Sequence, residues 1–123
     1  MAGLLGSMMH ARSASTSATP PARVSVLTWN VWFENVKYER RCRAIFEECE
    51  RLKPDVIAFQ EVIPRFVVDV QGQPWAKDYQ LSDTTGETCN PYGVMLLTRI
   101  PTKMQFHDLP SRMHRRLLTA EAA

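Results

Sequence analysis

The first regular pattern of apolar positions starts at Val24, where "VSVLTW" runs β-branched and apolar up to the polar Asn30 and reads as a buried strand. In the next stretch, "NVKYERRCRAIFEECERLKPD", the residues Tyr38, Cys42, Ile45, Phe46, Cys49 and Leu52 recur at helical spacing. Arg40, Arg41, Arg43, Glu47, Glu48 and Arg51 occupy the positions between. The spacing predicts an amphipathic helix of about four turns, closed by Pro54, whose ring disfavours helical backbone at Lys53. "DVIAF" then reads as a second buried strand that ends on Gln60 and Glu61. Strand, helix, strand predicts a βαβ unit, in which the strands run parallel and the crossover is right-handed in nearly all cases. Both strands then finish at one edge of the sheet. Asn30 and Glu61 fall side by side there, in the crevice outside the carboxyl ends of the strands where open α/β sheets bind ligands.

Past Glu61, "PRFVVDVQ" predicts a short helix with Pro64 at its first position. A strand is expected near Tyr79, a loop at Gly86, Asn90 and Pro91, and a clear strand from Tyr92 to Thr98. "TKMQFHDL" alternates well enough for one more strand, and "RRLLTAEA" begins another. Residues 1–22 are different: rich in Ser, Ala, Thr, Gly, Met and Pro, with Arg12 their sole Arg or Lys, they cannot bury enough apolar surface to offset ordering entropy. They read as a flexible tail, or alternatively as an organelle-targeting segment, with Pro20 and Pro21 marking the boundary. A single domain over 23–123 remains, as a chain of 123 residues suggests.

Composition narrows the picture only a little. No window approaches the roughly eighteen unbroken apolar residues of a membrane-spanning helix, so no membrane partner is expected. The formal net charge of +2 does not by itself call for a nucleic-acid partner, but its distribution is uneven. No acidic residue precedes Glu34, and the stretch from Arg112 to Arg116 is strongly basic. The three cysteines lack metal-ligand spacing. Cys42 and Cys49, seven apart in a helix, would sit roughly 10 Å apart, too far for a disulfide. They read as small apolar packers in a reducing compartment, hence in an intracellular protein.

Candidate chemistry therefore rests on the two strand ends. A glutamate there suits Mg2+, which takes hard oxygen ligands and usually one or two carboxylates together with waters and phosphate. A carboxamide beside it can donate to a phosphate oxygen and accept from metal-bound water. The pair suits metal-assisted phosphodiester hydrolysis. The plain structural alternative is that Asn30 starts a turn and Glu61 caps the next helix. Trp32 and Phe33 can stack on a terminal base or simply pack, and Tyr92 reads as core.

"LTWN" on an opening strand, followed about thirty residues on by "PDVIAFQEV" and later by "YGVMLLTRIP", resembles the endonuclease/exonuclease/phosphatase superfamily of DNase I-like, metal-dependent phosphoesterases. "NVWF", "FQEVIP" and "SRMHRRLL" are most similar to the tyrosyl-DNA phosphodiesterase 2 family, particularly its plant-like members. The resemblance covers Val24 to about Glu121. It implies an α/β fold, the N-terminal half of a four-layer sandwich opening with a βαβ unit. It makes Glu61 the ligand of Mg2+, with Mn2+ as the alternative, and Asn30 the residue that holds the scissile phosphate. Arg115, in the Ser-x-Met-x-Arg type stretch, would contact the 5′ end of DNA, and Trp32 would lie against the substrate. The implied substrate is a DNA 5′ end carrying a phosphotyrosyl adduct from trapped topoisomerase, and the implied compartment is the nucleus.

Two departures go with it. Animal relatives place an Asp where this chain has Trp32. Family domains are about twice as long, and their later half supplies a Gly-Asp-x-Asn motif and an Asp-His pair that this sequence lacks. The expectation is a truncated, catalytically incomplete chain that exposes apolar surface and a strand edge. Other superfamily activities on phosphodiesters, and a non-catalytic fragment that binds DNA or a partner protein, are the competing readings.

Overall fold

The computed structural model describes residues 22–122. The expected tail or targeting segment, 1–22, thus lies outside the described residues but for its last position. Helix α1 (Tyr38–Leu52) follows strand β1 (Val26–Asn30) and precedes strand β2 (Val56–Val62). Helix α2 (Pro64–Gln71), a short 3-10 turn at Pro74–Asp78 and a two-residue strand β3 (Gln80–Leu81) come next. A second 3-10 turn at Glu87–Cys89 leads into β4 (Gly93–Thr98), and the hairpin β5 (Thr102–Asp108) and β6 (Arg116–Ala122) completes the order.

The sequence pattern explains most of this. α1 buries Tyr38, Cys42, Ile45, Phe46 and Cys49, five of the six residues at helical spacing. It ends where Pro54 forbids continuation: Lys53 turns left-handed at φ 45°, and its N–H donates to the Cys49 carbonyl at 2.9 Å. α2 opens with Pro64 in its first turn, where a missing N–H costs nothing. The strand expected around Tyr79 is shorter and later, because Tyr79 ends the 3-10 turn and its hydroxyl donates to the Pro54 carbonyl at 2.6 Å.

The main sheet has the order β1-β2-β4-β3, with β1 and β2 parallel and β4 antiparallel to both β2 and β3. One face is the core. Ile57, Phe59, Val62, Met95 and Leu97 are fully buried there beneath Phe46, Phe66, Val67, Val70, Trp75 and Tyr79 from the helices and turns. Phe59 and Phe66 meet edge to face at 5.1 Å, the geometry that aromatic quadrupoles favour. Among the described residues, the opposite face is mostly uncovered. Val26 is 64% exposed there, and β6 reaches only part of the face, so that Leu117 and Leu118 border a small cavity with Ala58, Val94 and Leu96. Among the described residues, one edge of β1 is unpaired. No helix among the described residues is long and apolar enough to cross a membrane.

Cys42, Cys49 and Cys89 are all free and buried. Burial raises the thiols of Cys49 and Cys89 to about 12 and about 11, so they pack rather than react.

Candidate functional site

The parallel register pairs Asn30, the last residue of β1, directly with Gln60, so both strands reach the same edge of the sheet as the βαβ reading requires, and β2 continues two residues further to Val62. The next detail lies beyond that reading. Phe59 pairs with Met95 and Val62 with Gly93, which leaves Gln60 and Glu61 opposite the single residue Val94. This is a β-bulge, and Glu61 sits in it at φ 54°, a left-handed conformation that costs a non-glycine residue about 1–3 kcal/mol. Without the extra residue, alternation from Ile57 and Phe59 would aim Glu61 into the core. With it, Val62 takes the buried position and the carboxylate is released from it. Across the bulge only glycine fits at position 93, because a Cβ there would lie 2.9 Å from the Thr88 carbonyl oxygen.

A cavity of about 280 Å³ opens beside the bulge. Asn30, Gln60 and Glu61 line one side, Tyr92 and Gly93 another, and His114, Arg115 and Arg116 a third. Asn30, Glu61 and Arg115, separated by up to 85 positions in the sequence (115 minus 30), therefore share one cavity. A second depression, holding Asn90, Asp108 and Ser111, continues from the other side of His114 and Arg115.

The Asn30 carboxamide is oriented from within: its Oδ1 accepts the Trp32 N–H at 2.9 Å. Nδ2, purely a donor, is thereby left for an external acceptor. The turn expected as the plain alternative at Asn30 is thus present, and it serves to aim the side chain. Gln60 is held in place by donating to Thr28 Oγ1 at 3.0 Å and to the Ala58 carbonyl at 3.1 Å.

The basic wall is braced from below. Asp83, buried, accepts the N–H groups of Thr85 and Gly86 on Oδ1, and the N–H and hydroxyl of Thr88 on Oδ2. Burial alone would raise its pKa, but the Thr88 hydroxyl and the N–H groups of Gly86, Thr85 and Thr88 outweigh burial and hold the carboxyl below its ordinary value. The loop so fixed presents the Thr88 carbonyl to the Arg116 guanidinium at 2.8 Å, and the same guanidinium lies over the Phe106 ring at 4.9 Å. His114, at φ 51°, bends the chain just before Arg115.

Trp32 does not line the cavity; it stands on the loop that follows Asn30, 44% exposed and at φ 61°. Phe33 stacks on Tyr92 at 5.2 Å. Tyr92 is half-buried and lines the cavity, contrary to its expected place in the core. Sequence reasoning also missed Thr88 and Arg41. The spacing of Asp83, Thr85, Gly86 and Thr88 was the available signal for the first; Arg41 looked like an ordinary polar position on the helix. Among the described residues, no group of three or more His, Cys, Asp or Glu side chains is gathered for a metal ion.

A family profile described as the Endonuclease/Exonuclease/phosphatase family matches residues 27–122, a stretch that contains β1, the bulge and the basic wall. The chain belongs to this family. Its fold is shared with solved TDP2 structures. A humanized D. rerio TDP2 superposes with a TM-score of 0.71 at 23% identity, over 81% of this chain and 41% of that one. D. rerio TDP2 complexed with single-strand DNA product gives 0.70 at 22%, over 84% and 42%. TDP2 from C. elegans gives 0.67 at 22%, over 81% and 31%. The chain thus spans less than half the length of each of these structures. No curated protein matches the sequence significantly. The DNase I-like α/β fold, opened by a strand-helix-strand unit, is therefore a property of this chain as well as an expectation from its motifs.

Proposed function

We propose that the chain supplies the phosphate-binding and metal-binding part of a phosphodiesterase site of the tyrosyl-DNA phosphodiesterase 2 type, acting at a DNA 5′ end. The observation that carries this reading is the cavity, where a carboxylate freed by a bulge faces a pre-aimed carboxamide and a basic strand start. In this reading Glu61 holds a hard divalent cation, Mg2+ or Mn2+. A single carboxylate completed by waters and substrate phosphate fits such an ion, whereas a cage made by the protein alone is not available among the described residues. When bound, the cation offsets negative charge on the phosphoryl oxygens.

Asn30 Nδ2 donates to a non-bridging oxygen of the scissile phosphate and holds the phosphorus in place. Arg115 contacts the 5′ end of the strand through charge-assisted hydrogen bonds, and Trp32 lies against the substrate. The reaction forms a bond from a water oxygen to phosphorus and breaks the bond from phosphorus to the tyrosine phenolic oxygen; the proton released by water ends on the phenol. The sequence contains neither Gly-Asp-x-Asn nor an Asp-His pair. We therefore assign water activation to groups outside residues 27–122, and expect this chain alone to bind a 5′ phosphate better than it cleaves. A DNA-end substrate makes the nucleus the expected compartment.

The test uses the full chain with Mg2+ and a 5′-phosphotyrosyl oligonucleotide, measuring tyrosine release, and a 5′-phosphorylated oligonucleotide, measuring affinity. The expected result is Mg2+-dependent binding with little or no release. Equal affinity with and without Mg2+ would overturn the assignment of Glu61, and efficient release would overturn the claim of incompleteness.

A further inference from the structure

Arg41 lies on α1, away from its buried stripe, yet it is half-buried because its guanidinium turns back onto the loop that follows β1. Nε donates to the Val36 carbonyl at 2.8 Å, and the two terminal nitrogens donate to the carbonyls of Val31, Trp32 and Glu34. Four carbonyl groups from the loop between β1 and α1 thus converge on a single planar cation. The same cation lies over the Trp32 ring, 5.0 Å from its centroid.

Trp32 has features that core packing does not account for. It is a bulky residue in left-handed backbone, it is 44% exposed, and no other ring among the described residues stacks on it. Its own N–H is the group that orients the Asn30 carboxamide. One indole face is covered by guanidinium, the ring is anchored through its backbone to the phosphate-facing Asn30, and part of its surface is open to solvent.

We infer that Arg41 is a positioning residue that makes Trp32 a preformed stacking platform for one unpaired nucleobase next to the phosphate at Asn30. The inference rests on the nucleic-acid reading of the cavity given above. Physically, a guanidinium with five donors fixes a loop of free carbonyls at little further entropy cost. A pre-ordered indole then stacks on a base without first having to be ordered, and any base serves because each has a π-face. Lysine would keep the charge but lose the fork that reaches several carbonyls at once.

The experiment compares affinity, in Mg2+, for a 5′-phosphorylated oligonucleotide and for the same oligonucleotide with an abasic 5′-terminal nucleotide, by fluorescence anisotropy. The native chain should prefer the terminal base by roughly five-fold or more, the usual scale for stacking on an aromatic side chain. Trp32→Ala should erase the preference. Arg41→Lys, which keeps the charge and loses the fork, should shrink it, and should have no effect on the preference once Trp32 is alanine. An unchanged preference in Arg41→Lys overturns the inference, as does an Arg41→Lys effect that persists in the Trp32→Ala background. Amide hydrogen exchange over Val31–Val36 in the free protein tests the positioning step without ligand. Faster exchange confined to this loop in Arg41→Lys supports it, and unchanged exchange refutes it. A native chain that binds neither oligonucleotide refutes stacking together with the reading of the cavity, while exchange still decides whether Arg41 orders the loop.

Discussion

The two ends of the β1–β2 pair are built to opposite rules. At the start of the strands, Asp55 accepts both the N–H and the hydroxyl of Ser25, its own N–H donates back to Ser25 Oγ, and Arg99 bonds the Asp55 carboxylate and the Lys53 carbonyl. The bonds from the Ser25 backbone and hydroxyl, with Arg99 beside them, hold the Asp55 carboxyl below its ordinary value despite desolvation. Every one of these polar groups has a partner from the chain itself. At the other end the strand is bulged, three nearby residues sit at positive φ, and Asn30, Glu61 and Arg115 face open space. The difference teaches what each end is for: one holds the strands in register, and the other interrupts its ladder with a bulge and keeps hydrogen-bonding capacity free.

The comparison can be broken most severely at the support beneath the open end. Asp83→Ala would strand the Thr88 hydroxyl and three N–H groups and should cost about 3 kcal/mol, measured by urea denaturation. The same carboxylate sets a pH dependence. Asp83 and Asp55 both have folded pKa values below the ordinary value near 3.8, so their stabilisation is fully present above that value. It should be lost as pH falls through the lower folded values, seen as a declining melting midpoint in acid that Asp55→Asn makes shallower.

Next in size is a crossed pair. Glu61→Ala should lower Mg2+-dependent affinity for a 5′-phosphorylated oligonucleotide by about ten-fold or more and leave the melting midpoint unchanged, since the side chain has no partner among the described residues. Asp55→Ala should lower the midpoint by several degrees and leave that affinity unchanged in the folded protein. If both variants lost both properties, the division of labour between the ends would be refuted.

Smaller effects sharpen the contrast. Glu61→Gly relieves positive φ and should stabilise the fold by about 1 kcal/mol, less the entropy glycine adds to the unfolded chain, while Mg2+-dependent affinity falls as in the alanine variant. A destabilised Glu61→Gly protein would mean that the bulge carries no strain. Arg115→Ala should weaken binding only a few-fold and reduce the slope of log affinity against log salt by about one, because it removes one phosphate contact.

Much of this was legible in the sequence, for physical reasons that differ by residue. The apolar period of Tyr38 through Cys49 and the stop at Pro54 depend on local sterics, and the parallel neighbours β1 and β2 follow from the crossover rule, so α1 and the shared edge expected for Asn30 and Glu61 could be read directly, whereas the register that sets Asn30 against Gln60 could not. Among the described residues, β1 has an unpaired edge and Val26 is exposed. Arg115 could be linked to the cavity by its motif alone, since its approach depends on a hairpin docking over the sheet. Three further features could not be read. The role of Arg41 depends on where its side chain turns after leaving a helix surface. The place of Tyr92 at the cavity, with Phe33 from a different loop stacked on it, depends on long-range packing. The bulge depends on Val94 facing two residues at once, although its trace was present as Ile57, Phe59 and Val62, spaced by two and then by three.

That irregular spacing has a consequence for how such a protein can change over generations. Removing Glu61 altogether would leave Gln60 opposite Val94 and Val62 opposite Gly93, a regular strand with every buried side chain where it was. A one-codon deletion would thus yield a sounder scaffold that has lost the proposed chemistry. Lineages that give up catalysis while keeping the fold have a short path open to them, and it runs through the length of this strand.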